Sequence, residues 1–159
     1  MDSVAATAQV ADTIEAVYRQ EAGRLWRALF AFAADAEIAS DAVAESFAQA
    51  IRRGDAIRDP RAWVWKSGFR IASGELKRRS RTVDLIPDGS YLDQEVDTEL
   101  LTALAQLPGK QRAAVVLHYY ADAPVREISR RTGMSQLSVR ANLSRGRKRL
   151  KLLLGDRHE

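Results

Sequence analysis

The chain has 159 residues, 46% of them apolar and none of them cysteine, with a formal net charge of +4. That length holds one medium domain or two small ones, and the lack of thiols excludes disulfides, thiolate metal sites and a cysteine nucleophile. The N-terminus has no basic start and no long apolar run, which points to a cytoplasmic protein with neither a leader nor a membrane span.

Residues 13–34 place Ile14, Val17, Leu25, Leu29 and Phe32 at helical spacing, with Trp26 and Phe30 assigned to the core. A second helix is expected from about Ile38 to Arg53. It buries Val43, Phe47, Ala50 and Ile51 and turns Asp41, Glu45, Ala48, Gln49 and Arg52 outward. Gly54 to Asp59 reads as a loop, and Pro60 restarts a helix. The next stretch mixes Trp63, Trp65 and Phe69 with Arg61, Lys66, Arg70, Lys77, Arg78, Arg79 and Arg81. Aromatic rings interleaved with base suit unstacked bases and phosphates; Trp63 is read as core. Gly68, Ser73 and Gly74 weaken a continuous helix, so two helices are expected here, with a break between Phe69 and Gly74.

Residues 82–99 contain Pro87, Gly89 and six acids without regular period, the pattern of a linker. Leu100 opens a second domain, with Leu104 and Leu107 before Pro108. A helix from about Gly109 to Ala121 turns Val116, Leu117 and Tyr120 inward. Pro124 suits a helix start, Val125 and Ile128 form a buried stripe, and Gly133 suits a helix end with positive φ. Ser135 can cap the following helix, whose Val139, Leu143, Gly146, Leu150 and Leu153 define a packed face. The opposite face carries Leu137, Arg140, Ala141, Ser144, Arg145 and Lys148. A basic outer face on the second helix of a helix-turn-helix is the layout of a major-groove reader.

Charge is strongly segregated. Residues 1–53 carry −3, 54–81 carry +5, 82–99 carry −6 and 108–154 carry +9. Two basic blocks across an acidic one suggest two nucleic-acid surfaces on one chain. The expected architecture is all-α: two small helical domains, 1–81 and 100–159, joined by an acidic flexible linker at 82–99, the second a helix-turn-helix.

In this order the segments resemble the extracytoplasmic-function sigma factors of bacterial RNA polymerase, over about Thr13 to Leu154. SDAVAESFAQAI looks like the clamp-binding helix, DPRAWVWKSGFRIASGELKRR like the promoter-melting and −10 segment, and LPGKQRAAVVLHYYADAPVREISRRTGMSQLSVRANLSRGRKRL like the −35 domain. The resemblance implies that Asp41, Glu45 and Gln49 dock on the polymerase clamp. It implies that Lys77, Arg78, Arg79 and Arg81 hold duplex upstream of the −10 element, and that a flipped base enters near Trp65, Lys66, Phe69 and Arg70. Arg140, Ala141, Asn142, Ser144, Arg145 and Lys148 fall where the family meets the −35 element, Asn142 on phosphate rather than a base. Where the family commonly has Asn and Asp this chain has Arg70 and Gly74, and Ala141 and Asn142 stand where Ser and Arg are frequent. Implied partners are core polymerase, promoter DNA and an anti-sigma protein.

The rival reading is a stand-alone helix-turn-helix regulator with residues 1–81 as a sensing or dimerising domain. It leaves the acidic rib and the aromatic-basic segment without a use. An enzyme is a distant third, since the chain has no glycine-rich phosphate loop, HExxH or GxSxG. His118 and His158 have no partner at metal-ligand spacing, so no metal or other cofactor is implied.

Overall fold

The computed structural model describes residues 2–80 and 98–155, all of its regular structure helical. The first three long helices are α1 (Asp2–Ala33), α2 (Ala36–Arg53) and α3 (Pro60–Ser80), with a 3₁₀ turn at Gly54–Ala56. The remaining four are α4 (Thr98–Ala105), α5 (Gly109–Tyr120), α6 (Val125–Thr132) and α7 (Gln136–Leu154). The expected linker at 82–99 lies outside the described residues up to 97, and its last two residues already belong to α4.

Helices α1 to α3 pack pairwise around Leu25, Leu29, Ile38, Val64 and Trp65, all essentially inaccessible to solvent. The Asp35 carboxylate begins α2 by accepting a hydrogen bond from the Ile38 N–H at 3.0 Å. Gly54, at φ +57°, ends it. Asp59 does the same for α3, accepting from the Ala62 N–H at 3.2 Å. The expectation for Ile51 fails: it is 64% exposed, at the margin of the outer face rather than inside. The core side of α2 is filled by Ala39, Ala42, Val43, Phe47 and Ala50.

The expected break between Phe69 and Gly74 is also absent, and α3 runs unbroken through both residues. Gly68 has a packing role. A Cβ placed there would stand 3.4 Å from methyls of Leu25 and Leu29, so the missing side chain lets α3 lie close against α1. Burial of the Val64, Trp65, Phe69 and Ala72 face outweighs the weak helix propensity of Gly68 and Gly74.

The C-terminal helices follow the sequence reading closely. Ile128 is buried, Gly133 ends α6 at φ +81°, and the Ser135 hydroxyl caps α7 by accepting from the Ser138 N–H at 3.1 Å. Val139, Leu143 and Gly146 are the buried residues of α7, with Leu150 half-buried. Leu153 does not join them: it is 39% exposed, in an open recess lined by α4 residues such as Thr102 and Ala103. Trp63 and Tyr120 are half-buried rather than fully enclosed.

The two helical groups are packed against each other. Helix α1 touches α4 and α5, and α3 touches α6. Arg112 of α5 anchors this contact: its guanidinium donates to the carbonyls of Phe32, Ala105 and Leu107, each at 3.0 Å. One of these carbonyls belongs to the last turn of α1, where backbone acceptors have no partner inside the helix. The same guanidinium lies over the Phe32 ring at 5.6 Å. Burial pulls its pKa below the ordinary arginine value.

Candidate nucleic-acid interface

Helix α7 presents Leu137, Arg140, Ser144, Arg145 and Lys148 to solvent on the side away from Val139, Leu143 and Gly146. Leu137 is 76% exposed, at the N-terminal end where a groove-reading helix meets base edges. Ala141 is half-buried. Asn142 is turned inward: its amide donates to the Ser138 carbonyl at 2.9 Å and hydroxyl at 3.2 Å, and lies 3.6 Å from the Met134 sulfur. It fastens the turn between α6 and α7, a use that its place on the helical wheel did not reveal. Arg147 is occupied in a similar way, donating from Nε to the Tyr119 hydroxyl at 2.9 Å.

On α3 the expected set divides. Lys66, Arg70, Lys77 and Arg78 are exposed. Arg78 pairs with Glu75 one turn back, and half-buried Arg79 pairs with Asp35 at 2.7 Å. Arg81 lies outside the described residues. Trp65 and Phe69 are corrected to core: they are 1% and 4% exposed. Their rings stack on each other at 6.3 Å, and Phe69 meets Phe32 at 5.3 Å. The Trp65 indole N–H donates to the Glu21 carboxylate at 3.2 Å, which explains how an acid with 3% exposure is tolerated. Arg61 completes that buried group at 3.3 Å from Glu21. The aromatic-basic pattern therefore held two faces, one apolar and structural and one basic and exposed.

A recess that the sequence reading did not find lies one turn earlier on α3. A pocket of about 520 Å³ opens between the Gly54–Ala56 turn, the start of α3 and the end of α6. Its walls carry Arg53, Arg58, Lys66, Arg130 and Arg131, with the half-buried Trp63 indole between them. Arg53 lies over the Trp63 ring at 5.7 Å, and Arg131 over the Trp65 ring at 4.9 Å. The signal in the sequence was base on both sides of a short loop, but only the fold brings the Arg130–Arg131 pair to it.

The third surface is the outer face of α2. Asp41 and Glu45 are exposed and Gln49 is half-exposed on one rib, and exposed Ile51 lies beside it. The Gln49 amide and Arg52 guanidinium each donate to Glu45 at 3.0 Å. Together they hold the Glu45 carboxyl below the ordinary glutamate pKa.

The family profile described as sigma-70, region 4 matches residues 97–150, which contain the helix-turn-helix. RNA polymerase sigma factor SigV of Bacillus subtilis (strain 168) is 26% identical over 139 residues, covering 81% of this chain and 83% of that protein. Residues 97–150 thus match sigma-70 region 4, and over most of its length the chain is similar to a sigma factor. Two solved structures share the fold at a TM-score of 0.70. One is the sigma factor RpoE in complex with the anti-sigma factor NepR from Bartonella quintana, 20% identical, over 88% of this chain and 98% of that one. The other is CnrH in complex with the cytosolic domain of CnrY, 19% identical, over 95% and 93%. Among the described residues no helix is long and apolar enough to cross a membrane, and no cluster of three or more acids or histidines could hold a metal ion.

Proposed function

We propose that this protein is a sigma factor, without catalytic chemistry of its own, that reads the −35 element through α7 and holds opened −10 DNA along the exposed side of α3. The observation that carries the reading is the pairing of two basic surfaces of different shape on one chain. A convex helix face offers Arg140 and Arg145 to base edges, while a concave pocket offers cations around an indole. The first shape fits the major groove and the second fits an unstacked strand.

In this reading Arg140 and Arg145 discriminate bases, while Ser144 and Lys148 hold phosphate. Lys66, Arg70, Lys77, Arg78 and Arg81 track the backbone beside the −10 element, and Arg79, already paired with Asp35, orients the end of α3. The place of base capture moves from the surroundings of Trp65 and Phe69 to the pocket beside Trp63, because Trp65 and Phe69 are committed to the core. Each unstacked base costs a few kcal/mol, which contact with the Trp63 face and with Arg53, Arg58 and Lys66 on the α2–α3 side offsets in part. Asp41, Glu45, Gln49 and Ile51 form the surface offered to the polymerase clamp. An anti-sigma partner is proposed because the related RpoE structure holds an anti-sigma factor.

Run-off transcription with sigma-free core polymerase on a library of random promoters tests the whole assignment. Selected templates should share two sequence blocks, and a strand-specific probe should find the downstream block melted. Initiation without site preference, with any inhibitor removed, overturns it.

A further inference from the structure

The pocket beside Trp63 is built from both halves of the chain: Arg53, Arg58 and Lys66 come from the α2–α3 side, and Arg130 and Arg131 from α6. Asp59 is the one carboxylate among the described lining residues, and its Oδ1 already accepts from the Ala62 N–H. Among the described residues, Arg53, Arg58, Lys66 and Arg131 have no ion-pair partner within 4.0 Å; Arg130 has Glu127 at 3.2 Å. Packing α6 on α3 thus gathers like charges around one recess.

Arg131 adds a second, independent observation. Its Nε and Nη1 are buried, and no hydrogen-bond acceptor reaches them among the described residues. Buried guanidinium donors without acceptors are costly. Burial also pulls the Arg131 pKa down, against the partial support of Glu127, Glu21 and Asp59 and with Arg24 opposing. The closed arrangement therefore leaves positive charge and hydrogen-bond donors in one recess whose volume matches a small-molecule site.

We propose that this pocket binds a compact polyphosphate anion, free or as the phosphate tail of a nucleotide, and that occupancy holds α6 against α3. A chain of phosphates supplies several negative charges and many acceptor oxygens in a small volume, and so can bridge arginines contributed by two elements. Only the closed form offers all five cations, so ligand binding stabilises that form by linkage. The binding stands apart from promoter reading; its consequence, exclusion of melted DNA from the same pocket, rests on the function proposed above.

The test uses the full chain without DNA or polymerase, in magnesium-free buffer, with inorganic tripolyphosphate and ATP as separate probes and NaCl matching ionic strength. Calorimetry should show saturable binding, thermal melting should shift upward beyond the NaCl control, and acrylamide quenching of tryptophan should fall. Arg130→Gln and Arg58→Gln should each weaken binding about tenfold, while Arg126→Gln, on the same helix but outside the pocket, should change it less than about twofold. Tighter binding of ATP than tripolyphosphate supports the site with the base against Trp63, and equal binding supports it through the phosphates alone. Equal loss in Arg126→Gln, no melting shift beyond NaCl, or a rise in quenching overturns the proposal. Because no promoter is present, failure of promoter reading in transcription leaves this result intact, and failure here leaves promoter reading intact.

Discussion

Arg145 and Asn142 lie three residues apart on α7 and do opposite things. Arg145 is exposed, with a guanidinium able to take the two major-groove acceptors of guanine in a fork. Asn142 spends its amide on Ser138. Arg145→Ala should therefore lose about 1–3 kcal/mol of discrimination at one −35 position, read as transcription from native against −35-substituted promoters. An unchanged ratio between the two templates would show that Arg145 meets only phosphate. Asn142→Ala should loosen the turn and lower stability without altering that ratio. Arg112 is the structural counterpart on α5. Replacing it by Met keeps much of the hydrophobic stem and deprives three carbonyls of a charged donor. Arg112→Met should cost about 2–4 kcal/mol in urea unfolding, since hydrogen bonds to charged groups contribute about 1.5–3 kcal/mol each and do not add fully. A loss below half of one such bond would remove Arg112 from the anchor of the two halves.

Two glycines show how the same residue serves different elements. At Gly146 a Cβ would stand 2.7 Å from Val115 Cγ2 and 3.4 Å from the Gln111 carbonyl oxygen. Val115 is β-branched and buried within α5, so its χ1 is restricted and its methyl gives way only at a cost. Gly146→Ala should destabilise by about 1–2 kcal/mol, the overpacking penalty reduced by the better helix propensity of alanine. Val115→Ala in the same chain should recover part of that loss, and full additivity of the two changes would dismiss the clash. At Gly74 nothing lies within 4 Å of the same Cβ. Gly74→Ala should stabilise by about 0.5–1 kcal/mol, measured by the same unfolding curve. The contrast explains what was legible in the sequence. Helices α2, α6 and α7 each bury one face, so period located them, and the Gly133–Ser135 turn announced itself by residue type; in α1, read from residue 13 although it begins at Asp2, Ala28 to Ala33 are buried all round. Helix α3 was misread because a glycine's role depends on its neighbour: Gly68 is a close approach to α1, not a break. Trp65 and Phe69 were taken as base contacts because base surrounds them in sequence, yet that base lies on the other side of the helix. The packing of Arg131 on Trp65 and of Arg112 on Phe32 joins residues far apart in the chain, without any periodic trace.

The size of the molecule sets a limit on the closed arrangement. A compact chain of this length has a radius of gyration of about 15 Å, hence a width of roughly 40 Å. Promoter blocks named −10 and −35 are about 25 base pairs apart, roughly 85 Å along B-form DNA. One closed chain cannot hold the centres of both blocks. Residues 81–97 can reach roughly 60 Å if extended, so separating the halves makes the span possible. The two surfaces then differ in their need for opening. The α7 face is contacted by α4, α5 and α6 only on its buried side and stays accessible when the chain is closed, whereas α6 forms one wall of the pocket beside Trp63. Arg131→Ala relieves two buried donors without acceptors but also removes the guanidinium and its stem from the Trp65 ring; the lost packing is the larger effect, so the open form should be favoured. Small-angle scattering should show a larger radius of gyration than wild type, and acrylamide should quench Trp65 more strongly. Affinity for a −35 duplex should stay within about threefold of wild type, because phosphate and base contacts from α7 are untouched. Affinity for single-stranded −10 DNA should rise, although the substitution removes a cation. That sign separates the two roles of Arg131: a residue serving mainly as a phosphate contact would lower single-strand affinity on removal, and one serving mainly as a closure contact would raise it.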